Sequence, residues 1–378
     1  MKALHLCPDH NFIEHSREIF EKYYPDRNIF IITSKFPDYK IIKNKQGFIK
    51  MDISLPDSFQ ILGKICKENN VDKIVLHGIS MSMFPGIAKL KTELKCQVYW
   101  IVWGFEMYQL LGYECNYKLI DSNPSILKKE SYYVPNALSK VVRRITKNYL
   151  PNVVRRLIPY IDYFCFWNYG DYELLKKNVP NKLQYKYFAY SANTKNQEPA
   201  YLFPLTNKTY KSILINHQAS LYGNHNTVLK KIAEIDKNNE YTKITPLSYG
   251  NSVIKKNVLK LGKRLFADKY KPILDYMDKE IYYSTIKDVD VAIFGPRRQE
   301  ASGNIIHLLK NGVKVFLRED NNLFDYYKQQ GYLIFSFEKD LTSYEDLKPL
   351  TLPEKEYNRQ IYLHNLKYYD DFMIDFFN

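Results

Sequence analysis

The sequence contains no run of about 18 apolar residues, and it therefore predicts no membrane-spanning helix. Cysteines are few and unpaired, because the five present include no C-x-x-C pair. This usage predicts buried thiols in a reducing cytoplasm and argues against a disulfide framework. Internal repeats and low-complexity tracts are also missing, which excludes a solenoid or a biased, disordered chain. The five cysteines are Cys7, Cys66, Cys96, Cys115 and Cys165.

Positive charge, by contrast, is abundant. The chain has 55 Lys and Arg against 41 Asp and Glu, a net charge of +14. This excess favours an anionic partner, namely nucleic acid, lipid head groups or a phosphorylated substrate. The first residues, MKALHLCPDHNFIEH, read as a strand and a loop, too short and too polar for a secretory signal. At 378 residues and 45% hydrophobic content, the chain is long enough for two domains with their own cores.

Strand and helix signals alternate along both halves of the chain. Short, continuously apolar strands separated by amphipathic helices are typical of a parallel sheet covered on both faces. The predicted strands of the first half are 3–7, 29–33, 73–78, 97–104 and 163–168. Those of the second half are 212–217, 243–250, 271–277, 289–295, 314–319 and 332–337.

A polar segment with two prolines, 191–209, separates the halves and reads as a linker. The sequence thus predicts an α/β protein with two doubly wound domains facing a cleft. We expect the first domain over 1–195 and the second over 210–350. Residues 351–378 show a strong helical pattern and predict a terminal helix that returns to the first domain.

The stretch FGPRRQEASGNIIHLLKNGVKVFLRE, residues 294–319, passes from a strand through two arginines into a helix. The N–H groups and positive dipole end at a helix start attract a diphosphate, which arginines can neutralise with paired hydrogen bonds. A glycine there lets the phosphate approach the backbone. The alternative is an ordinary strand–helix turn with surface arginines. The candidate donor-binding residues here are Arg297, Arg298, Glu300, Ser302, Gly303 and Asn304, with Glu300 expected to accept from sugar or ribose hydroxyls.

Two further polar loops follow strands of the same half. Ligands of open parallel sheets bind beyond the carboxyl ends of the strands, so these loops and the arginine loop should line one crevice. Each loop alone is weak evidence, since Asn, Ser and Gly are common in turns. Their candidate donor-binding residues are Asn216, His217, Ser220, Ser248, Tyr249 and Gly250.

From about residue 73 to residue 325 the chain resembles the bacterial TDP-N-acetylfucosamine:lipid II N-acetylfucosaminyltransferases, glycosyltransferase family 56. The resemblance rests on VLHG (75–78), YWIVWGFEMYQL (99–110), ILINHQASLYGNH (213–225), PLSYGN (246–251) and RRQEASGNIIHLLKNGVKVFLREDN (297–321). It implies a GT-B fold of two Rossmann-like domains, a nucleotide-diphospho-sugar donor and a polyprenyl-diphosphate-linked saccharide acceptor. Two departures are Glu106, where the family is expected to have Asp, and the higher charge of 297–304.

The acceptor side follows the strand QVYWIV. A hydroxyl acceptor must lose a proton, and Glu106, delivered at the strand end, is the candidate general base. Burial beside Trp103 and Tyr108 would raise the pKa of the Glu106 carboxyl. The alternative is a carboxylate that only complements the helix dipole. His77 is a second catalytic candidate, as base or hydrogen-bond donor, with a structural histidine as the alternative.

The candidate acceptor-binding residues are Asp9, His10, Asn11, Trp103 and Tyr108. No metal site is predicted. The single Asp-x-Asp, at 288–290, precedes its strand and so lies at the amino end of the strand, whereas ligands bind at the carboxyl end. No cofactor is expected either. The Glu-x7-Glu spacing of many retaining GT-B enzymes is missing, because its second position falls near His307.

Residues 126–160 combine eight cations and one acid with interleaved apolar side chains. Such a helix suits a bilayer interface with anionic head groups, and a lipid-linked acceptor would require such docking. A helix packed on the first domain with a solvated basic face is the alternative. Nucleic-acid binding is the third, although no nucleic-acid-binding motif accompanies the segment.

Together these patterns predict a glycosyltransferase, cytoplasmic and peripheral on the cytoplasmic face of the inner membrane. It would transfer a deoxy-amino sugar from a TDP-sugar to a lipid-diphosphate-linked saccharide in surface polysaccharide synthesis. No nucleic-acid partner is expected. The alternatives are a sugar-nucleotide epimerase on the same fold and a non-catalytic basic module that binds membranes or nucleic acid.

Overall fold

The computed structural model describes residues 1–121, 149–194 and 199–378. They form two compact units. The first contains residues 1–117, 149–194 and 367–378, and the second contains residues 118–121 and 199–366. Each unit is an α/β structure built on one sheet.

The first unit contains a seven-stranded parallel sheet with the order β3-β2-β1-β4-β5-β6-β7. Its central strands β1 and β4 are buried at every residue, as expected for strands covered on both faces. The strands are β1 (Ala3–Cys7), β2 (Asn28–Thr33), β3 (Phe48–Met51), β4 (Lys73–His77), β5 (Gln97–Ile101), β6 (Tyr163–Cys165) and β7 (Gln184–Lys186). The helices are α1 (Asn11–Tyr23), α2 (Ser58–Glu68), α3 (Gly86–Leu94), α4 (Phe105–Glu114), α5 (Leu150–Leu157) and α6 (Tyr169–Asn178).

The second unit contains a six-stranded parallel sheet with the order β10-β9-β8-β11-β12-β13. The strands are β8 (Ser212–Ile215), β9 (Thr242–Pro246), β10 (Tyr270–Ile273), β11 (Val291–Ile293), β12 (Lys314–Leu317) and β13 (Phe335–Ser336). The helices are α7 (His225–Ile235), α8 (Ser252–Phe266), α9 (Lys279–Thr285), α10 (Ser302–Lys310), α11 (Asn322–Gln329) and α12 (Leu352–His364). In both sheets the order reverses at the first strand, so both are doubly wound and the predicted fold class is confirmed.

The two strands that the sequence did not predict, β3 and β7, are the two edges of the first sheet. Neither contains a fully buried residue, whereas β1 and β4 are buried throughout. Edge strands are short and often polar, so they lack the continuous apolar signal of a central strand.

The predicted terminal helix of residues 351–378 is divided. Helix α12 ends at His364 in the second unit, and a short helix, α13 (Asp370–Met373), belongs to the first unit. The last residues bury Phe372, Met373 and Phe376 in the core of the first unit. The Tyr24 hydroxyl donates to the backbone oxygen of Met373 at 2.6 Å, which anchors this segment to α1.

Of the basic segment 126–160, residues 126–148 lie outside the described residues. The rest includes α5, whose apolar side chains, Val153, Val154 and Leu157, are buried within the first unit. Arg155 pairs with Glu114 at 2.5 Å, and Arg156 lies 3.9 Å from the centroid of the Phe84 ring. The apolar face of this part is thus used for packing, as in the alternative of a helix packed on the first domain. Among the described residues, no helix is long and apolar enough to cross a membrane.

Candidate functional site

Hydrogen bonds join the three predicted donor-side loops at the carboxyl edge of the second sheet. The Ala219 N–H donates to Tyr249 O at 3.0 Å, and the Asn251 N–H donates to Ala219 O at 2.8 Å. These bonds connect the loop after β8 to the loop after β9. The Gly295 N–H donates to Asn216 Oδ1 at 2.8 Å, which connects the loop after β8 to the loop after β11. The structure therefore brings the three polar loops together, as their positions in the sequence suggest.

Helix α10 begins at this edge, and its second residue, Gly303, is exposed. Ala301 precedes the helix in the left-handed conformation, with φ of 65°. The N–H groups of Ser302, Gly303 and Asn304 have no acceptor among the described residues, as is usual in a first helical turn. A Cβ added to Gly303 would meet nothing within 4 Å. This helix start therefore offers exposed N–H groups and the positive end of the helix dipole to an anion.

The two arginines before this helix have different surroundings. The Arg298 guanidinium lies 4.5 Å from the centroid of the Tyr222 ring, and its Nε donates to Glu300 Oε2 at 3.3 Å. Arg297 instead donates from Nε to Asp121 Oδ1 at 2.7 Å and also pairs with Asp320. Arg297 therefore holds a segment from far along the chain, a structural role that the sequence did not indicate.

Asp121 is a residue that the sequence analysis missed. Its carboxylate lies between two arginines and accepts from Arg297 and, at 2.9 Å, from Arg318. Burial raises the pKa of the Asp121 carboxyl, but the hydrogen bonds and charges of the two arginines outweigh it and lower the pKa to about 2. No local motif marks this residue, because its partners are distant in the sequence.

Glu300 lies in the interior of the donor-side cluster rather than at its surface. Gln218 and Arg298 donate to its two carboxylate oxygens, and His217 Nε2 lies 3.7 Å from Oε1. Burial raises the pKa of the Glu300 carboxyl, but the charges of Arg298 and His217 outweigh burial. The pKa is therefore lower than its ordinary value, and the carboxylate is charged. Burial lowers the pKa of His217, whose Nδ1 is buried without a hydrogen-bond partner among the described residues. Gln218 has no signal in the sequence beyond its place in the loop.

Several other residues shape these loops. Asn224, in the left-handed conformation at φ of 48°, donates to Gly295 O at 3.0 Å and accepts from the Asp121 N–H at 2.9 Å. Ser220 caps a short turn by accepting from the Tyr222 N–H. Gly250 has φ of 108°, and a Cβ there would lie 2.4 Å from Ala219 O. Tyr249 is 47% exposed, and Ser248 lies beside it in the same loop.

In the first unit, Glu106 lies in the first turn of α4 and is completely buried. Its Oε1 accepts from Trp100 Nε1 at 3.1 Å and from the Trp103 backbone N–H at 2.9 Å. The preceding Gly104 has φ of 89°, which allows the sharp turn into the helix. This geometry explains the burial by itself, so it fits the alternative in which the carboxylate stabilises the helix start.

His77, the second catalytic candidate, lies in the interior of the first unit. Its Nδ1 is 2.8 Å from the Tyr190 hydroxyl, and its Nε2 is 3.1 Å from His5 Nδ1. Burial and the neighbouring His5 lower the pKa of His77 well below its ordinary value. Both ring nitrogens are already hydrogen-bonded away from solvent, so the structure corrects the catalytic assignment in favour of the structural alternative.

The acceptor-side candidates are only partly brought together. Asp9 accepts backbone N–H groups from residues 40–42, which gives it a structural use. His10 caps α1 by accepting from the Phe12 N–H, and its ring contacts Trp103 at 4.7 Å between centroids. Asn11 is exposed at the first position of α1.

Tyr108 was predicted to contact the acceptor, but it is completely buried. Its hydroxyl donates to the buried Asp171 at 2.8 Å, which fixes α4 against α6. Tyr108 is therefore a core residue. Its position three residues before Leu111 places it on the inward face of α4.

The described residues contain no group of three or more His, Cys, Asp or Glu side chains arranged to hold a metal ion. Asp290, from the single Asp-x-Asp, accepts from the backbone N–H groups of Tyr210 and Ser212 and thereby joins the segments that lead into β8 and β11.

Comparison with solved structures finds the same architecture in glycosyltransferases. The chain is similar to a glycosyltransferase from Rickettsia africae, with 13% identity, 99% of this chain and 96% of that chain covered, and a TM-score of 0.61. It is also similar to HepE from Anabaena, solved in complex with UDP-glucose, with 10% identity, 99% and 97% covered, and a TM-score of 0.63. It is similar as well to sucrose-phosphate synthase from Thermosynechococcus elongatus, with 9% identity, 100% of this chain and 97% of that chain covered, and a TM-score of 0.64.

A scan against protein-family models and a search of curated proteins each found no match. At the identities of the structural matches, the likeness shows the fold alone. That fold is GT-B, with two Rossmann-like units each built on a parallel sheet.

Proposed function

We propose that this protein is a glycosyltransferase that uses a nucleotide-diphospho-sugar donor. The observation that carries the proposal is the start of α10, where the N–H groups of residues 302–304 have no acceptor among the described residues and follow Arg298 closely in the chain. Two facts about structural neighbours support it: HepE was solved with UDP-glucose, and a trehalose-6-phosphate protein from E. coli was solved with UDP-2-fluoro-glucose.

On the donor side, breaking the sugar–phosphate bond leaves negative charge on the departing diphosphate. The helix start supplies N–H groups and a positive dipole end, and Arg298 supplies a formal charge. Arg298 is held in place by the Tyr222 ring and by Glu300, so its position is fixed before the charge develops. Buried Glu300 and His217 lie deeper in the same loops, where we propose that they meet the sugar or ribose hydroxyls.

On the acceptor side, Glu106 is the proposed general base. The N–H groups of Trp100 and Trp103 both donate to Oε1 and so hold the carboxylate in place. His10 is the proposed hydrogen-bond donor to the acceptor. Its Nδ1 accepts from the Phe12 N–H, so the neutral ring carries its proton on Nε2. Burial lowers the pKa of His10, which favours this neutral form.

The finer substrate assignment follows the resemblance to glycosyltransferase family 56. We propose a deoxy-amino sugar, N-acetylfucosamine-like, as the transferred group, TDP as the leaving nucleotide and a polyprenyl-diphosphate-linked saccharide as the acceptor. The net charge of +14 supports an anionic membrane surface as the place where the acceptor is met. Exposed Arg155 and Arg156 contribute to that charge, whereas Val153, Val154 and Leu157 of α5 are buried.

A nucleotide screen followed by a transfer assay tests the proposal. TDP, UDP and GDP are compared for their effect on the thermal unfolding of the full chain, and we expect TDP to raise the midpoint most. Transfer from TDP-N-acetylfucosamine is then measured with the lipid-linked acceptor in anionic vesicles. A protein that none of the nucleotides stabilises, and that shifts nucleic acid at physiological salt, would contradict the proposal in favour of a basic binding module.

A further inference from the structure

Five side chains of the first unit form one continuous hydrogen-bonded chain, which the sequence did not reveal. Trp103 Nε1 lies 2.8 Å from the Tyr190 hydroxyl, and this hydroxyl lies 2.8 Å from His77 Nδ1. His77 Nε2 lies 3.1 Å from His5 Nδ1. His5 Nε2 in turn lies 3.2 Å from Asn28 Oδ1. The chain runs from the half-buried Trp103 through the buried His77 and His5 to Asn28, which is half-buried at the start of β2.

The Trp103 end of this chain fixes the direction of its hydrogen bonds. An indole N–H can only donate, so the Tyr190 oxygen accepts from Trp103. Among the described residues this hydroxyl has no hydrogen-bond partner other than Trp103 and His77, so its single proton is donated to His77 Nδ1. Neutral His77 must then carry its own proton on Nε2 and donate it to His5 Nδ1.

The Asn28 end fixes the direction independently. The Asn28 amide nitrogen donates to the backbone oxygens of Tyr24, at 2.7 Å, and Phe20, at 3.4 Å. Only the NH2 group can make these bonds, so the amide oxygen faces His5 and accepts from its Nε2–H. Neutral His5 then has a lone pair on Nδ1, which accepts from His77.

The two ends require the same arrangement, in which both histidines are neutral with the proton on Nε2. Burial holds the pKa of His5 down to about 3 and that of His77 well below its ordinary value, so both rings stay neutral across physiological pH. A one-way chain of this kind has no lone pair left for an added proton. It therefore suits a positioning role and not proton transfer.

The outer end of the chain meets the proposed acceptor site. The Phe12 ring, 47% exposed, stacks on Tyr190 at 5.4 Å and 18° between ring planes. The His10 ring contacts the Trp103 ring, and the Trp103 backbone N–H donates to Glu106. Trp103 thus connects the buried hydrogen-bonded chain with both residues that the proposed function places at the acceptor.

We propose that Tyr190 is a positioning residue, which holds the Trp103 indole as a fixed face for a sugar ring of the acceptor. It does so by accepting from Trp103 and donating to the buried pair His77 and His5. This inference rests on the proposed function, since it assigns a saccharide to that face. Tyr190 itself does not touch the reacting atoms.

Histidine nitrogen NMR of the labelled full chain tests the hydrogen-bonded chain without any turnover. In the wild type we expect His5 and His77 to show the Nε2–H tautomer without titrating between pH 6 and 8. Tyr190→Phe removes the donor to His77 Nδ1, so the His77 signals should shift. Tyr172→Phe is the matched control, because it removes a buried tyrosine hydroxyl that donates to Leu183 O at 2.8 Å. An Nδ1–H tautomer in wild-type His77, or unchanged His77 signals in Tyr190→Phe, overturns the inference.

Steady-state kinetics test the positioning role. Tyr190→Phe should raise the acceptor KM about tenfold, the size expected for losing one anchoring hydrogen bond, while kcat and the donor KM stay within about twofold. Trp103→Phe keeps the Tyr190–His77 bond, so it should raise the acceptor KM without moving the His77 signals. An acceptor KM that Tyr190→Phe leaves unchanged overturns the positioning role. A wild type that transfers no sugar overturns the proposed function instead, whatever the histidine signals show.

Discussion

A substitution at Gly303 should change nucleotide binding and the stability of the fold in opposite directions, so it tests the proposed diphosphate site. It is the second residue of α10, and a Cβ placed there would meet no heavy atom within 4 Å. In a helix, alanine is more favourable than glycine by up to about 1 kcal/mol. Gly303→Ala should therefore stabilise the free protein and raise its unfolding midpoint by up to about 2–4 °C.

The same methyl group should weaken nucleotide binding. It takes up space in front of the N–H groups at which the diphosphate is proposed to lie. A loss of about 1.4 kcal/mol of binding free energy corresponds to a tenfold rise in the dissociation constant of TDP. Calorimetric titration measures this constant, and thermal unfolding without nucleotide measures the stability.

Gly63→Ala is the matched control for this experiment. Gly63 lies within α2 of the first unit, and its Cβ would make an ordinary contact with Leu90 at 3.4 Å. We expect this variant to leave the TDP dissociation constant unchanged. If Gly303→Ala raises stability and binds TDP as tightly as the wild type, the diphosphate does not approach this helix start. If the variant is less stable, the reasoning from free space is wrong.

Two further substitutions test single carboxylates. Glu106→Gln keeps an oxygen that accepts from Trp100 and Trp103, so the fold and TDP binding should be preserved. Sugar transfer should fall by roughly 10²–10⁴-fold, because the general base is removed. Normal transfer in this variant would mean that Glu106 only stabilises the start of α4. Asp121→Asn tests the low pKa of the Asp121 carboxyl. Burial raises this pKa, but contacts that include the hydrogen bond from Arg318 lower it from 3.8 to about 2. A carboxyl whose pKa is lower in the folded state stabilises the fold at pH values above its unfolded-state pKa, and this stabilisation is lost as the pH falls. The wild type should therefore lose about 2 kcal/mol of unfolding free energy between pH 5 and pH 2, and the variant should not show this loss. Urea unfolding at both pH values measures the difference, and equal losses in the two proteins would contradict the assignment.

The central strands and the meeting of the polar loops were predictable from the sequence for the same reason. Strands such as β1 and β4 are buried at every residue and contain short apolar runs, because both of their faces are covered. Once the sheet is parallel, their carboxyl ends share one edge, so residues such as Asn216 and Gly295 had to approach each other. The edge strands β3 and β7 carry no such pattern.

What could not be predicted depends on contacts between distant parts of the chain. Asp121 and Arg297 are 176 residues apart, and no local pattern connects them. His77 and Tyr108 were assigned to the site because each follows or adjoins a strand end. The direction of a side chain at such a position depends on packing partners elsewhere, here Tyr190 and Asp171.

The segment 367–378 has a consequence for the order in which the protein can fold. Its aromatic side chains complete the core of the first unit, although the ribosome makes them more than 170 residues after the last strand of that unit. Residues 199–366 of the second unit, in contrast, are contiguous. During synthesis the second unit can assemble its sheet first, and the first unit, although begun earlier, waits for Phe372 and Phe376 to close it.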